Sequence, residues 1–385
     1  MSVNELYKKC CLCPRNCGVN RLAGRIGFCG ESAELRLVFA GIHKGEEPPL
    51  TGFGGSGTIF ASGCGLRCVS CQNWQISGGM VPGSSFDSGN CTGTLGRTVS
   101  TEEFAAICLA LQDKGAENIN IVTGNHAAPA LAEGLTAARN AGLQIPVLWN
   151  SSGYESPESL EIISRHVETW LPDLKTLDNN VSASLLNAPD YPQAATAAIQ
   201  RMLAFCREKQ SGLVMIRHLI LPGRLEATRT VLEWFAEKAA GPFAALSLMT
   251  QYTPITGNSE KKKSGGSLPL APALLNNNVE FCNAKLQKTN QGPAARSKSS
   301  ATPSAGSSRP RNAPGQQTRS PPQRFLSEPE YDTILSWLGE LGIQDGYCQE
   351  LVTGSDWLPD FSRINPFSSN LSVPVWHFSH RFIEK

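Results

Sequence analysis

The sequence predicts an α/β fold, a β/α barrel or an open parallel sheet, in a chain of 385 residues. Six short apolar runs have strand length, helical segments alternate with them, and polar residues collect where the runs end. Apolar strands of this kind are parallel and covered by helices. Residues 58–62 are the first strand and end at Gly63. Ser100-Thr101-Glu102-Glu103 opens a capped helix that runs to about residue 114. Residues 118–123 are the second strand, and the helix over 129–141 stops at Gly142. The third strand, 146–150, precedes a helix over 156–165 that starts at a Ser-Pro pair. Strand 167–174 leads to helical material over 192–208. The apolar run 213–221 ends at Pro222-Gly223, a helix covers 226–240, and 244–251 is the sixth strand. Residues 81–95, rich in Pro, Gly, Ser, Asp and Asn, read as a surface loop insertion.

Bulk properties bound the function. Hydrophobic residues make up 41% of the chain, enough for a large core. No run approaches the roughly 18 apolar residues of a membrane span, and residues 1–9 are too polar for a signal peptide. The 13 cysteines cluster at C-x2-C spacings. That is the pattern of metal sites in a reducing compartment rather than of disulfides, so the expected location is cytoplasmic. The net charge of +1 hides an asymmetry. Residues 257–323 carry ten Lys/Arg against Glu260 and Glu280, a charge of +8 that leaves −7 on the rest. That stretch is rich in Ser, Pro, Asn, Gln and Gly and reads as a solvated, disordered insert. Only Phe281 interleaves its basic residues, so no nucleic acid is expected. The organisation is an N-terminal Cys-rich element (1–50), a core (51–256), the insert (257–323) and a C-terminal extension (324–385).

Cys64, Cys68 and Cys71 lie in the run Gly63-Cys64-Gly65-Leu66-Arg67-Cys68-Val69-Ser70-Cys71-Gln72-Asn73-Trp74. The C-x3-C-x2-C spacing offers three thiolates and no fourth within the run. A four-iron cluster normally takes four. Three leave one iron open to a small molecule, which makes a reaction centre rather than an electron wire. The alternative is a zinc knuckle, whose fourth ligand would have to be Cys91. The run's position just past a strand, where α/β barrels place their chemistry, favours the cluster.

A second set precedes it. Cys10, Cys13, Cys17 and Cys29 give C-x2-C-x3-C-x11-C, four thiolates suited to a second iron–sulfur cluster or a structural zinc, with Cys11 spare. Polar residues at the strand ends are Thr123-Gly124-Asn125-His126, Asn150 to Tyr154, Asp173-Leu174-Lys175, Arg217-His218 and Gln251-Tyr252. In a barrel these share one face. Ordinary turn chemistry accounts for many of them. Asp173 and Lys175, two apart at the end of an apolar strand, point to the same side and need a partner or ligand.

On its motifs the chain resembles the PflX-type radical S-adenosylmethionine (SAM) proteins, relatives of pyruvate formate-lyase activating enzyme. The motifs are Cys10-Cys11-Leu12-Cys13-Pro14-Arg15-Asn16-Cys17, Glu46-Glu47-Pro48-Pro49 followed by Gly55-Ser56-Gly57-Thr58, and the run from Cys64 to Ser77. Pro172 to Lys175, Arg217 to Gly223 and Leu248 to Tyr252 complete the core pattern. It resumes after the insert with Glu330-Tyr331, Gln349-Glu350 and Trp357 to Phe361.

The resemblance implies a partial (β/α)6 TIM-type barrel of the radical SAM superfamily. It implies a [4Fe-4S] cluster on Cys64, Cys68 and Cys71, with SAM chelating the open iron and cleaved reductively to a 5′-deoxyadenosyl radical. Asp173, Lys175 and Arg217 carry over as residues near SAM, and Asn73, Thr123, Asn125 and Asn150 are further candidates. No catalytic residue beyond the cluster is expected. The implied substrate is the glycine of a glycyl-radical enzyme, with a reductant such as flavodoxin or ferredoxin. The rivals are radical modification of another protein or a small molecule, and an electron-transfer or zinc scaffold without catalysis. Ser70 replaces the aromatic residue usual before the third cysteine. Thr123-Gly124-Asn125-His126 replaces a Gly-Gly-Glu that meets the methionine amino group. The insert follows the last expected strand and should leave the barrel intact.

Overall fold

The computed structural model describes residues 3–78, 95–254 and 321–383, except 352, 353, 355, 356, 368 and 369. All but the last three residues of the expected insert lie outside them, as do Cys91 and all of the loop insertion but Leu95. The first half of the chain runs α1 (Val3–Lys8), β1 (Arg36–His43), α2 (Pro48–Thr51), β2 (Ser56–Ala61), α3 (Trp74–Ser77), β3 (Arg97–Thr98), α4 (Thr101–Asp113), β4 (Ile119–Val122), α5 (Ala128–Asn140) and β5 (Val147–Ser151). Next come α6 (Pro157–Ile163), β6 (Thr169–Pro172), α7 (Asn179–Leu185), α8 (Tyr191–Lys209), β7 (Leu213–Leu219), α9 (Leu225–Trp234) and β8 (Ala244–Met249). Beyond residue 320 are α10 (Glu328–Glu340), β9 (Gly346–Cys348), β10 (Ser372–His377) and β11 (Arg381–Phe382).

The six expected strands, β2 and β4 to β8, pair in parallel in chain order. Their side chains alternate between two faces. Ile59, Ile121, Trp149, Trp170, Ile216 and Leu246 join the main core formed with the helices. Leu148, Leu171, Met215 and Ala245 form a separate inner layer with Leu50 of α2. Two residues further along the same inner face stand Asn150, Asp173, Arg217 and Ser247, all bordering one cavity. This is a partial TIM-type barrel with an apolar floor and a polar mouth.

Local signals set the helix starts. Ser100 caps α4 by accepting from the Glu103 N–H at 3.2 Å. Ser156 does the same for α6, and Asp178 caps α7 through the Asn180 and Val181 N–H groups. Ser327 and Glu330 form a capping box on α10. Such caps contribute about 1 kcal/mol each.

The sheet is larger than six strands. β9 adds a seventh parallel strand against β8. On the other edge β1 runs antiparallel to β2, and β10 antiparallel to β1. The segment 257–323 therefore falls between β8 and β9 rather than after the last parallel strand, which corrects its expected place. The expected helix over 226–240 is α-helical only to Trp234 and continues as a π turn, Phe235–Ala239. Among the described residues no helix is long and apolar enough to cross a membrane.

Candidate active site

A cavity of about 560 Å³ occupies the barrel mouth. Cys64, Cys68 and Cys71 border it on one side, in the loop between β2 and α3. The Leu66 N–H donates to Cys64 Sγ and the Ser77 hydroxyl to Cys71 Sγ, both at 3.4 Å. Burial pushes the Cys68 thiol up, and Lys175 pulls against it. Burial also raises Cys71, which Ser77 and Lys175 lower. Thiolate charge at this site is thus met by N–H and O–H donors and one cation, the surroundings that tune a sulfur-held cluster. Among the described residues no three Cys, His, Asp or Glu gather closely enough to hold a single metal ion. A tetrahedral zinc would draw its sulfurs to roughly 3.8 Å of one another. The three soft donors open to a cavity fit a [4Fe-4S] cluster better than zinc.

Asn73, Thr123, Asn150, Asp173, Lys175 and Arg217 border the same cavity. Lys175 Nζ meets Asp173 Oδ2 at 2.6 Å. Burial alone would lower the lysine's pKa, but Asp173 and Cys68 outweigh it and hold the ammonium charged. The Tyr191 hydroxyl fixes this strand end. It lies 2.9 Å from the Ser152 carbonyl and 2.8 Å from the Asp173 carbonyl, and accepts from the Lys175 N–H at 3.0 Å. Gly153, at φ +73°, permits the approach: a Cβ there would stand 2.3 Å from the Asp173 carbonyl oxygen. Thr123 also has a left-handed backbone, φ +59°, which costs a β-branched residue energy.

Asn125 is not brought to the cavity. Its side-chain amide donates to the Tyr154 carbonyl at 2.8 Å and its oxygen accepts from the His126 N–H at 2.9 Å, so both groups serve the turn before α5. His218 is also structural. Nδ1 lies 2.7 Å from the Leu174 carbonyl, an acceptor, so Nδ1 carries the proton and Nε2 accepts from Thr228 at 3.0 Å.

Sequence reasoning missed how Arg217 is held. Its guanidinium meets Glu47 Oε1 at 2.9 Å and Glu46 Oε2 at 2.6 Å, and also pairs with Glu47 Oε2. Asn120 donates to the other Glu46 oxygen at 3.0 Å. Burial would raise Glu47, but Arg217 overrides it and keeps the carboxyl below its usual range. Two carboxylates against one guanidinium leave this part of the cavity net negative. The Glu46-Glu47 pair was visible as a motif; its partner lies 170 residues away. Gln349 and Trp357 of the C-terminal segment were likewise visible only as motif residues; with Tyr347 and Phe367 they border the cavity. Ser70 borders the cavity, and the aromatic surface comes from these residues and Phe60.

Comparison with known proteins agrees with this geometry. Residues 58–235 match the model of the radical SAM superfamily. Over 251 residues the chain is 30% identical to Uncharacterized protein MJ0674 of Methanocaldococcus jannaschii, covering 65% of this chain and 68% of that protein. Two solved structures show a distant likeness. The radical S-adenosylmethionine methyltransferase TsrM from Kitasatospora setae, with cobalamin and a [4Fe-4S] cluster bound, is 15% identical over 51% of this chain and 36% of its own, at a TM-score of 0.36. QueE from Escherichia coli is 12% identical over 58% of this chain and 96% of its own, at 0.32. The chain belongs to the radical SAM superfamily, which implies a [4Fe-4S] cluster and SAM.

Proposed function

We propose that the chain is a radical SAM enzyme whose substrate is a protein glycine, making it an activase of a glycyl-radical enzyme. The observation that carries the enzyme reading is the placing of Cys64, Cys68 and Cys71 at the rim of a cavity that also presents the Asp173–Lys175 pair. The cavity's size suits a small cofactor. Bound there, the cluster and SAM would supply radical hydrogen abstraction, the electron coming from an external one-electron donor and methionine leaving. The chain's own residues bind and shield. Cys64, Cys68 and Cys71 hold the metal. Lys175, charged and oriented by Asp173, offers a donor to the methionyl carboxylate. Asn73, Asn150 and Thr123 add polar contacts, and Phe60, Trp357 and Phe367 keep water from the reacting atoms. The activase reading is supported by the resemblance in Pro172 to Lys175 and Arg217 to Gly223, an argument by analogy. It calls for a low-potential one-electron donor of the flavodoxin or ferredoxin kind and a reducing, cytoplasmic setting.

The test is anaerobic incubation of the reduced holoprotein with SAM and a glycyl-radical enzyme as the candidate partner. Formation of 5′-deoxyadenosine together with a glycyl-radical EPR signal is expected. 5′-Deoxyadenosine without that signal removes the activase reading and keeps the class; its absence removes both.

A further inference from the structure

Behind the cluster loop, on the side away from the cavity, the N-terminal segment folds into two turns that bring four cysteines together. The first turn is closed by the Asn16 N–H donating to the Cys13 carbonyl at 3.0 Å, with Asn16 and Gly18 in left-handed conformations. The second is closed by the Gly30 N–H donating to the Gly27 carbonyl at 2.9 Å. Cys17 Sγ and Cys29 Sγ lie 3.4 and 3.5 Å from where a side chain on Gly27 would begin, so both sulfurs crowd this glycine. The sulfurs of Cys10, Cys17 and Cys29 all act electrostatically on Cys13. All four thiols are free. Cys11 lies beside Glu158 and Cys10.

A further observation points to a ligand among them. Arg21 is 1% exposed and its Nη1 lies 3.8 Å from Cys10 Sγ. Its other hydrogen bonds go to the Ser32 and His126 carbonyls, and its guanidinium lies 5.0 Å over the Tyr7 ring. A buried guanidinium needs a counter-charge, which thiolates carrying metal would supply.

We infer that Cys10, Cys13, Cys17 and Cys29 hold a second iron–sulfur cluster, fully ligated by protein and packed against the back of the loop that carries the first. Cys13 Sγ lies 3.5 Å from where a side chain on Gly65 would start, and the Cys29 carbonyl accepts from the Cys64 N–H at 3.3 Å. With four thiolates it has no open iron and takes no SAM.

The test uses the full chain with Cys64→Ala, Cys68→Ala and Cys71→Ala, reconstituted anaerobically. About four iron and four sulfide per chain are expected, with an EPR signal on reduction that SAM does not shift. Adding Cys13→Ser and Cys17→Ser should bring iron to background. About one zinc in place of iron, or no metal, overturns the inference. Should the triple variant fail to fold, the unaltered chain decides. About eight iron with one SAM-responsive and one indifferent signal supports the second cluster, and about four iron with a single responsive signal overturns it. Loss of the responsive signal alone, with the indifferent one kept, would count against the proposed function and not against this cluster.

Discussion

Lys175 shows what one side chain contributes. It is part of an ion pair at 2.6 Å and also faces Cys68. Lys175→Ala should weaken SAM binding by about 1–3 kcal/mol, the loss of a charged hydrogen bond, with cluster iron retained. A solvated pair would give about 0–1 kcal/mol of stability and leave SAM affinity alone. Titration of the reconstituted variant with SAM, followed by EPR, separates the two; unchanged affinity would take Lys175 out of the site. The pair was legible because residues two apart on a strand share a face and charge is rare there. Arg217 was legible only as a site residue. Its engagement by Glu46 and Glu47 arises from chain folding over 170 residues, which no local spacing encodes. Asn125 misled because turn asparagines and ligand asparagines look alike in sequence.

At the scale of elements, the cluster loop depends on a brace from the N-terminal segment. Arg15 Nε donates to the Gly65 carbonyl at 2.9 Å, and its other nitrogens reach the carbonyls of Leu66, Leu186 and Asn187. The guanidinium lies 4.1 Å over the Phe28 ring. One planar fork thus ties the loop to the end of α7. Arg15→Ala should release active-site iron to a chelator about tenfold faster or more, as charged hydrogen bonds contributing about 1.5–3 kcal/mol each are lost. Arg15→Lys should rescue little, because an ammonium cannot span the fork. Release rates equal to those of the unaltered protein would refute the brace. The parallel strands were legible as apolar runs between turn residues. β10 was not, since Pro374 sits within it, opposite Gly41 beside a register shift in β1. β9 has three residues, too few to show a period.

Across the whole molecule, pH acts through buried groups scattered over the fold. Burial lowers His126 to about 3, helped by Arg21, and lowers His218 to about 4, from an ordinary 6.5. Both are neutral when folded, while the unfolded chain takes up protons below 6.5. Their contribution is therefore complete above pH 6.5 and is lost as pH falls toward 4, by up to about 1.4 kcal/mol per pH unit for each. Glu155 runs the other way. It is 3% exposed, and burial, with Asp173, raises it from 4.5 to about 7 against the pull of Ser151 and Trp149. Its stabilising share is present below pH 4.5 and lost as pH rises to 7, where the folded state must ionise a buried acid. None of this was legible in sequence, where Glu155 is an ordinary loop residue and its burial depends on packing by distant segments. Glu155→Gln keeps the shape and removes the charge. Its thermal midpoint should match that of the unaltered protein near pH 5 and exceed it at pH 8, by an amount worth about 1–3 kcal/mol. Melting the two holoproteins side by side from pH 5 to 8 reads this difference directly. A gap that stays constant across that range would mean that Glu155 does not change its charge in the folded protein.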